Sequence, residues 1–346
     1  LERIAIVSED ISAPVDEGFK KATVKLAAAI KDLIAETVVF TQAPSDAPIE
    51  ARVLPGNKLL WNGSFGRGLK ALDPDMILYV PQAAATPMSF ARAAALRRQS
   101  GGKPVVMLSL QRRIYPAFLI PLIKLLAPDL ILVLSTAGSE LVRGIGCKVR
   151  RVPLGVDSDV FRPPEPGAKH ELRGKYGLPE GPIILHVGHI SPGRNLEVLR
   201  RIADDGRRVL VVSSTTTRRH AEVEAMLHMP NVILMDRYIE HIEEIYKLVD
   251  GYLFPTLSAT DAIDIPLSVL EAMATNLPVV TTAFGGLPDL FTSGDGLFIC
   301  FTEDEVVRAA GEMLRTGTTA TRDKVLGLSW SKAAADILEA MRAELS

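Results

Sequence analysis

The sequence predicts an α/β protein built from two doubly wound parallel-sheet domains. Three observations predict it. The 346 residues suffice for two cores at roughly 100–200 residues per domain. Eleven short apolar runs, continuous rather than alternating, recur between stretches of helical periodicity, as parallel strands covered on both faces do. A proline-bearing interval without a strand pattern, 152–181, divides the runs into two sets.

The first set is RIAIVS (3–8), TVVF (37–40), MILYV (76–80), PVVMLS (104–109) and DLILVLS (129–135). The second is IILHVG (183–188), RVLVVS (208–213), NVILM (231–235), GYLFP (251–255), LPVVTT (277–282) and GLFIC (296–300). Helices are predicted between them. Over Glu17–Asp32, Phe19, Thr23, Leu26 and Ile30 share one face while Lys20, Lys21, Lys25 and Lys31 take the others. Repeated βα units of this kind make doubly wound sheets, and eleven strands exceed one small sheet. The prolines at 153, 163, 164, 166 and 179 put the hinge near Phe161–Gly167, with domains at 1–161 and 162–328.

Composition excludes several classes. With 39 basic against 41 acidic residues and 47% hydrophobic content, the chain is not disordered. Cys147 and Cys300 are too few for a disulfide framework and lack metal-ligand spacing, so a reducing, cytoplasmic setting is expected. The opening run IAIVS leads into a serine, acids and a proline, unlike a secretory leader. Ile114–Ile123, the most apolar run, carries Pro116 and Pro121 and falls short of the ~20 residues of a spanning helix. Residues 51–156 hold 15 Lys/Arg against 4 Asp/Glu. That bias is either a solvated basic face or a surface for an anionic partner: a phosphorylated acceptor, anionic lipid or nucleic acid. Aromatics are not interleaved as in a single-strand binder, and no nucleic-acid partner is expected. Asp73 and Asp75 directly precede a strand and read as no metal site. Walker A, GxGxxG after the first strand, and GxSxG are all absent.

The most informative stretch is IPLSVLEAMATNLPVVTTAFGGLPDL, 265–290. Pro266 suits a helix start, Leu267, Leu270 and Ala274 share a face, Glu271 lies one turn in, and Asn276 ends the helix before a buried strand. A helix N-terminus beside a strand C-terminus favours an anion such as a diphosphate. Glu271 is there either a dipole partner on a solvated face or an acceptor of two ribose hydroxyls.

Here the sequence resembles the retaining glycosyltransferases of the GT-B fold, the glycosyl transferase group 1 family. LEAMATNLPVV followed by Gly285 and Gly286 matches the family's signature spacing. YKLVDGYLFPT (246–256), VPLGVDSDVFRPP (152–164), VGHISPGRNLEVL (187–199), LSWSKAAADIL (328–338) and PVDEGFKKATVKLAAAI near the N-terminus are similar to further family phrases, in order. The resemblance implies two Rossmann-like domains facing across a cleft, the first on the acceptor side and the second binding the donor, with the C-terminal helix 329–346 packing back on the first. It implies a nucleotide-sugar donor (UDP- or GDP-sugar), a hydroxyl acceptor, retention by front-face attack, and neither cofactor nor metal.

Site residues follow from the same resemblance. Glu271 would hold the ribose. Arg194 stands where the family has a diphosphate-binding lysine, and Arg keeps that role by gripping phosphate bidentately. His189 stands at the family's arginine, either on the phosphate or as a strand-end histidine bonded to backbone. Catalytic roles are implied for Arg194, His189 and Glu271. Donor contacts are implied at Gly188, Arg194, Asp264, Leu267, Ser268, Leu270 and Glu271, and an acceptor or phosphate loop at Gly18. Three departures stand out. The family's first acid falls on Ile263, with Asp261 or Asp264 available from a longer loop. Pro266 replaces a loop glycine and has no N–H to donate. The histidine common after the fourth first-domain strand is absent, the place reading Ser109 to Gln111. These departures motivate a second reading, a non-catalytic nucleotide-sugar-binding protein or partner subunit on the same fold. Finally, Arg112, Arg113 and Lys124 flank an apolar, helix-length segment, as in helices at a membrane interface, or as in an ordinary core helix. The first pattern predicts peripheral contact at the inner membrane face and an anionic or lipid-linked acceptor.

Overall fold

The computed structural model describes residues 1–345 except 44, 45, 47, 48, 55, 83, 215–218, 316 and 318. The chain separates into two compact units. Unit 1 comprises Leu1–Leu154, Ile263–Ile265 and the chain from Trp330 on; unit 2 comprises Gly155–Ala262 and Pro266–Ser329.

Unit 1 is organised by β1 (Arg3–Val7), β2 (Glu36–Thr41), β3 (Arg52–Val53), β4 (Met76–Tyr79), β5 (Val105–Ser109), β6 (Leu130–Val133) and β7 (Val149–Arg151). They form one sheet in the order β3-β2-β1-β4-β5-β6-β7, with every pairing parallel. Ala5, Val7, Ile77, Tyr79, Val105, Met107, Ile131 and Val133 stand at alternate strand positions and build the core on one face. The intervening Ile4, Ile6, Leu78, Val106 and Leu132 are at most 1% exposed. Burial of both faces is the physical reason the runs are continuously apolar. The closing helix, Trp330–Leu345, packs against the helix Gly18–Leu33 within this unit.

Unit 2 holds β8 (Ile183–Val187), β9 (Arg208–Val212), β10 (Val232–Met235), β11 (Gly251–Phe254), β12 (Val279–Thr282) and β13 (Leu297–Cys300). The sheet order is β10-β9-β8-β11-β12-β13, again all parallel. The order reverses between β8 and β11. At such a switch point the connecting helices leave to opposite sides and open a crevice at the strands' carboxyl ends.

All eleven predicted strands are present. Two more, β3 and β7, edge the first sheet; they are two and three residues long and carry exposed arginines. The segment predicted as one helix from Arg112 to Lys124 is broken. Pro116 and Pro121 delay it to a 3₁₀ turn at Ala117–Leu119 followed by a short helix, Ile120–Leu125.

Candidate functional site

Unit 2 assembles its polar groups at the carboxyl ends of β8 and β11. Gly188 follows β8 directly, and the chain then makes a 3₁₀ turn, Pro192–Arg194, closed by Asn195 at φ 55°. That turn folds the Arg194 side chain back over Gly188. A Cβ at 188 would stand 2.7 Å from Arg194 Nη1 and 3.2 Å from His186 Nε2, so only glycine leaves room for the guanidinium. Arg194 is 7% exposed and lies over the Phe254 ring, Cζ 5.7 Å from the centroid. Burial lowers its pKa against the opposing charges of Tyr252 and Asp261. Among the described residues no carboxylate forms an ion pair with it, and its Nε has no hydrogen-bond partner.

The surroundings share this lack of partners. His186 Nε2, Ser213 Oγ and Thr256 Oγ1, at the ends of β8, β9 and β11, are also buried without partners among the described residues. Each such group costs about 1–3 kcal/mol if nothing ever satisfies it. His186 is fully buried, its Nδ1 3.0 Å from the Leu253 carbonyl. Burial first, and the Arg194 charge second, push its pKa down to about 4, so the ring is neutral. Tyr252, its phenol pushed up by burial, feels both Arg194 and Glu271 and lies beside Ser268. The next ring, Tyr246, stacks at 5.8 Å on Tyr252 and donates its O–H to Glu271 Oε2 at 2.9 Å.

Glu271 sits one turn inside the helix Leu267–Ala274 and is 5% exposed. Pro266 caps that helix, and Asn276 beyond its end adopts φ 61°, the left-handed conformation that stops helices. Unit 2 therefore gathers Gly188, Arg194, Ser268 and Glu271 into one connected group through Tyr252 and Tyr246. Leu267 and Leu270 are buried in the same helix. His189, half-buried, follows Gly188.

Asp261 is tied to the Pro192–Arg194 turn instead. It accepts from Ser191 Oγ at 2.7 Å, and a Cβ at Gly193 would collide with Asp261 and Ser258. Asp264 and Gly18 belong to unit 1. The Asp264 carboxylate is 2.8 Å from Arg112 Nε and 2.5 Å from Ser135 Oγ; burial raises its pKa against both partners. Ile263, standing where the resemblance puts an acid, packs on Gly18. His186, Tyr252 and the Arg112–Asp264–Ser135 group escaped the sequence reading. A histidine inside the otherwise apolar run IILHVG was the one available signal.

Residues 181–316 match the glycosyl transferases group 1 family. The chain is 31% identical over 170 residues to the sulfoquinovosyl transferase SQD2 of Arabidopsis thaliana, covering 47% of this chain and 32% of that protein. It is 25% identical over 202 residues to a GDP-mannose-dependent alpha-(1-6)-phosphatidylinositol monomannoside mannosyltransferase of Mycolicibacterium smegmatis, covering 54% and 53%. The matches thus span a third to a half of these relatives' length. In structure, the Anabaena Alr3699/HepE protein, solved with UDP-glucose, superposes with a TM-score of 0.77 at 15% identity over 99% of both chains. The phrases at 187–199 and 246–256 and the signature at 265–290 lie inside the matched segment; the others lie outside it. Residues 181–316 are thus similar to the glycosyl transferases group 1 family, and the two parallel sheets carry the GT-B fold.

Proposed function

We propose that this protein transfers a sugar from a nucleoside-diphosphate sugar to a hydroxyl acceptor, with retention and without a metal ion. The observation that carries the reading is the buried Arg194 guanidinium with no carboxylate partner among the described residues. A buried cation left uncompensated costs several kcal/mol, and an anionic ligand removes that cost. A diphosphate fits the place: it would meet Arg194, the glycine-lined turn after β8, His189 and the first turn of Leu267–Ala274. Glu271, which accepts the Tyr246 hydroxyl, would take the ribose hydroxyls. The donor nucleotide would be UDP or GDP, since the similar proteins are named for UDP-glucose and GDP-mannose.

In the front-face reaction the acceptor oxygen bonds to the anomeric carbon on the side from which the diphosphate departs. The bond from that carbon to the phosphate oxygen breaks, and the acceptor's proton passes to the departing oxygen. The protein stabilises charge growing on the diphosphate, and Arg194 supplies the positive charge that a divalent ion would otherwise provide. The basic 51–156 region would hold an anionic or lipid-linked acceptor, at the cytoplasmic face of a membrane.

A thermal-shift panel of UDP, GDP, ADP and their sugar conjugates tests this on the wild type and on Glu271→Ala. At a hundredfold excess over Kd a ligand of the native state stabilises by ~2.7 kcal/mol. One nucleoside diphosphate is expected to shift the wild type and not the variant; no shift with any of them overturns the reading. The non-catalytic alternative draws on Pro266, Ile263 and the engagement of Asp264 by Arg112 and Ser135. It predicts nucleotide binding without donor hydrolysis or transfer.

A further inference from the structure

We propose that the segment Arg113–Leu125 of unit 1 docks on an anionic lipid bilayer. The segment is apolar on two sides. Inward, Ile123 is 1% exposed, and Tyr115, Leu119, Ile120 and Leu126 pack on the unit 1 core. Tyr115 pins the approach by donating its hydroxyl to the Ala85 carbonyl at 2.5 Å and meeting Phe90 edge-on at 5.9 Å. Outward, Ile114 is 81%, Phe118 80%, Leu122 48% and Leu125 81% exposed. Among the described residues no other stretch of this length puts so many large apolar side chains into solvent. Scattered apolar side chains on a surface need no explanation, but a contiguous patch marks a binding surface.

Charge selects the occupant. From Asp75 to Asp129 the chain contains no acid between these two, yet it carries seven Lys/Arg. Several of those cations are already spent within unit 1: Arg92 on Glu9, Arg97 on Asp129, Lys103 on Asp73 and Arg112 on Asp264. Arg113 and Lys124, which bracket the outward apolar residues, have no carboxylate partner among the described residues and are exposed. Lys124 lies against the Gly146 turn that follows Arg143, another exposed cation. An apolar ridge rimmed by unpaired cations matches acyl chains beneath anionic headgroups. The four outward side chains offer on the order of 500 Å², below the ~800 Å² per partner of a standard specific protein interface. A rigid, two-proline segment gives a wedge whose apolar groups are already presented, so insertion requires no helix to form.

The inference goes beyond the donor reading and stands independently of it. The test is co-sedimentation of the full chain with phosphatidylcholine vesicles, with and without phosphatidylglycerol, at low and high salt. The wild type is expected to bind the anionic vesicles at low salt and to be released by salt. Phe118→Ser with Leu125→Ser, and separately Arg113→Glu with Lys124→Glu, are expected to weaken binding at least tenfold. All four side chains are solvent-facing, so the thermal midpoint and any nucleotide-induced shift should stay at wild-type values. Absence of binding to anionic vesicles, or binding unchanged by both double variants, overturns the proposal. So does a concentration-dependent dimer, seen by light scattering, that the Phe118→Ser and Leu125→Ser pair abolishes in a protein that ignores vesicles. Loss of the nucleotide shift in the wild type would count against the donor reading alone.

Discussion

Acidification should weaken unit 2 through one residue, His186. A carbonyl oxygen only accepts, so the Nδ1 that lies 3.0 Å from the Leu253 oxygen carries the proton. Nε2 is then a bare lone pair, buried without a partner among the described residues. Adding a proton there would create a second buried cation close to Arg194. Desolvation and that neighbour hold the pKa at about 4, against 6.5 for a free ring. Between those two values the unfolded chain binds the proton and the native chain does not. Native stability is therefore fully present above pH 6.5 and falls as pH drops toward 4. At ~1.4 kcal/mol per unit the whole window is worth about 3 kcal/mol. Urea unfolding of the wild type and of His186→Asn across the window isolates the effect. The asparagine Nδ2 takes roughly the place of Nδ1, and carboxylate titrations common to both proteins cancel in the difference. Between pH 6.5 and 5 the wild type should lose ~2 kcal/mol more than the variant. Nitrogen-15 spectra of labelled histidine should also show one ring keeping its neutral Nδ1–H form at pH 5. Parallel pH profiles, or six rings all titrating near 6.5, would refute the reasoning.

Two further substitutions probe the same group. Arg194→Ala should reduce turnover about a hundred- to thousandfold, the usual cost of ~3–4 kcal/mol for removing one charge-stabilising donor. Its thermal midpoint should fall little, because among the described residues the buried guanidinium has no carboxylate ion pair to lose; near-normal turnover removes Arg194 from the mechanism. Gly188→Ala would thrust a methyl group to 2.7 Å from Arg194 Nη1. The guanidinium must move, so nucleotide affinity measured by calorimetry should drop tenfold or more while circular dichroism is unchanged; wild-type affinity would show that Arg194 need not lie over Gly188.

The strands were legible because both sheets are buried on both faces, and an apolar run of four to six residues has few other uses. β3 and β7 were not. Arg52 and Val149–Arg151 pair only along one edge, and an exposed edge strand needs no apolar residues. Gly188, Arg194 and Glu271 lie where the resemblance puts them, after a strand end and one turn into a helix, because those places are local properties of the chain. Pairings across the chain left no local trace. Asp264 meets Arg112 across 152 positions and Ser135 across 129, and no spacing rule distinguishes it from Asp261, three residues earlier. The segment 113–125 failed as a single helix for a local reason that was visible, its two prolines.

The two acids of the long loop show why the buried cation is left alone. Asp261 is near enough for its charge to act on Arg194, yet one of its oxygens takes the Ser191 hydroxyl at 2.7 Å. The backbone carbonyl of Gly193 accepts from Ser258 N at 3.2 Å in the same contact. The loop thus fixes the turn that carries Arg194 without neutralising it. A direct Asp–Arg pair would stabilise the apo fold better, but an incoming anion would then have to break it. On the proposed donor reading, holding the turn through a serine and a glycine carbonyl would keep the geometry of the guanidinium and concede stability where a ligand returns it. The neutral His186 beneath follows the same logic: a ring that titrated near 6.5 would add a second positive charge at the same place, and the apo protein would bear repulsion as well as desolvation.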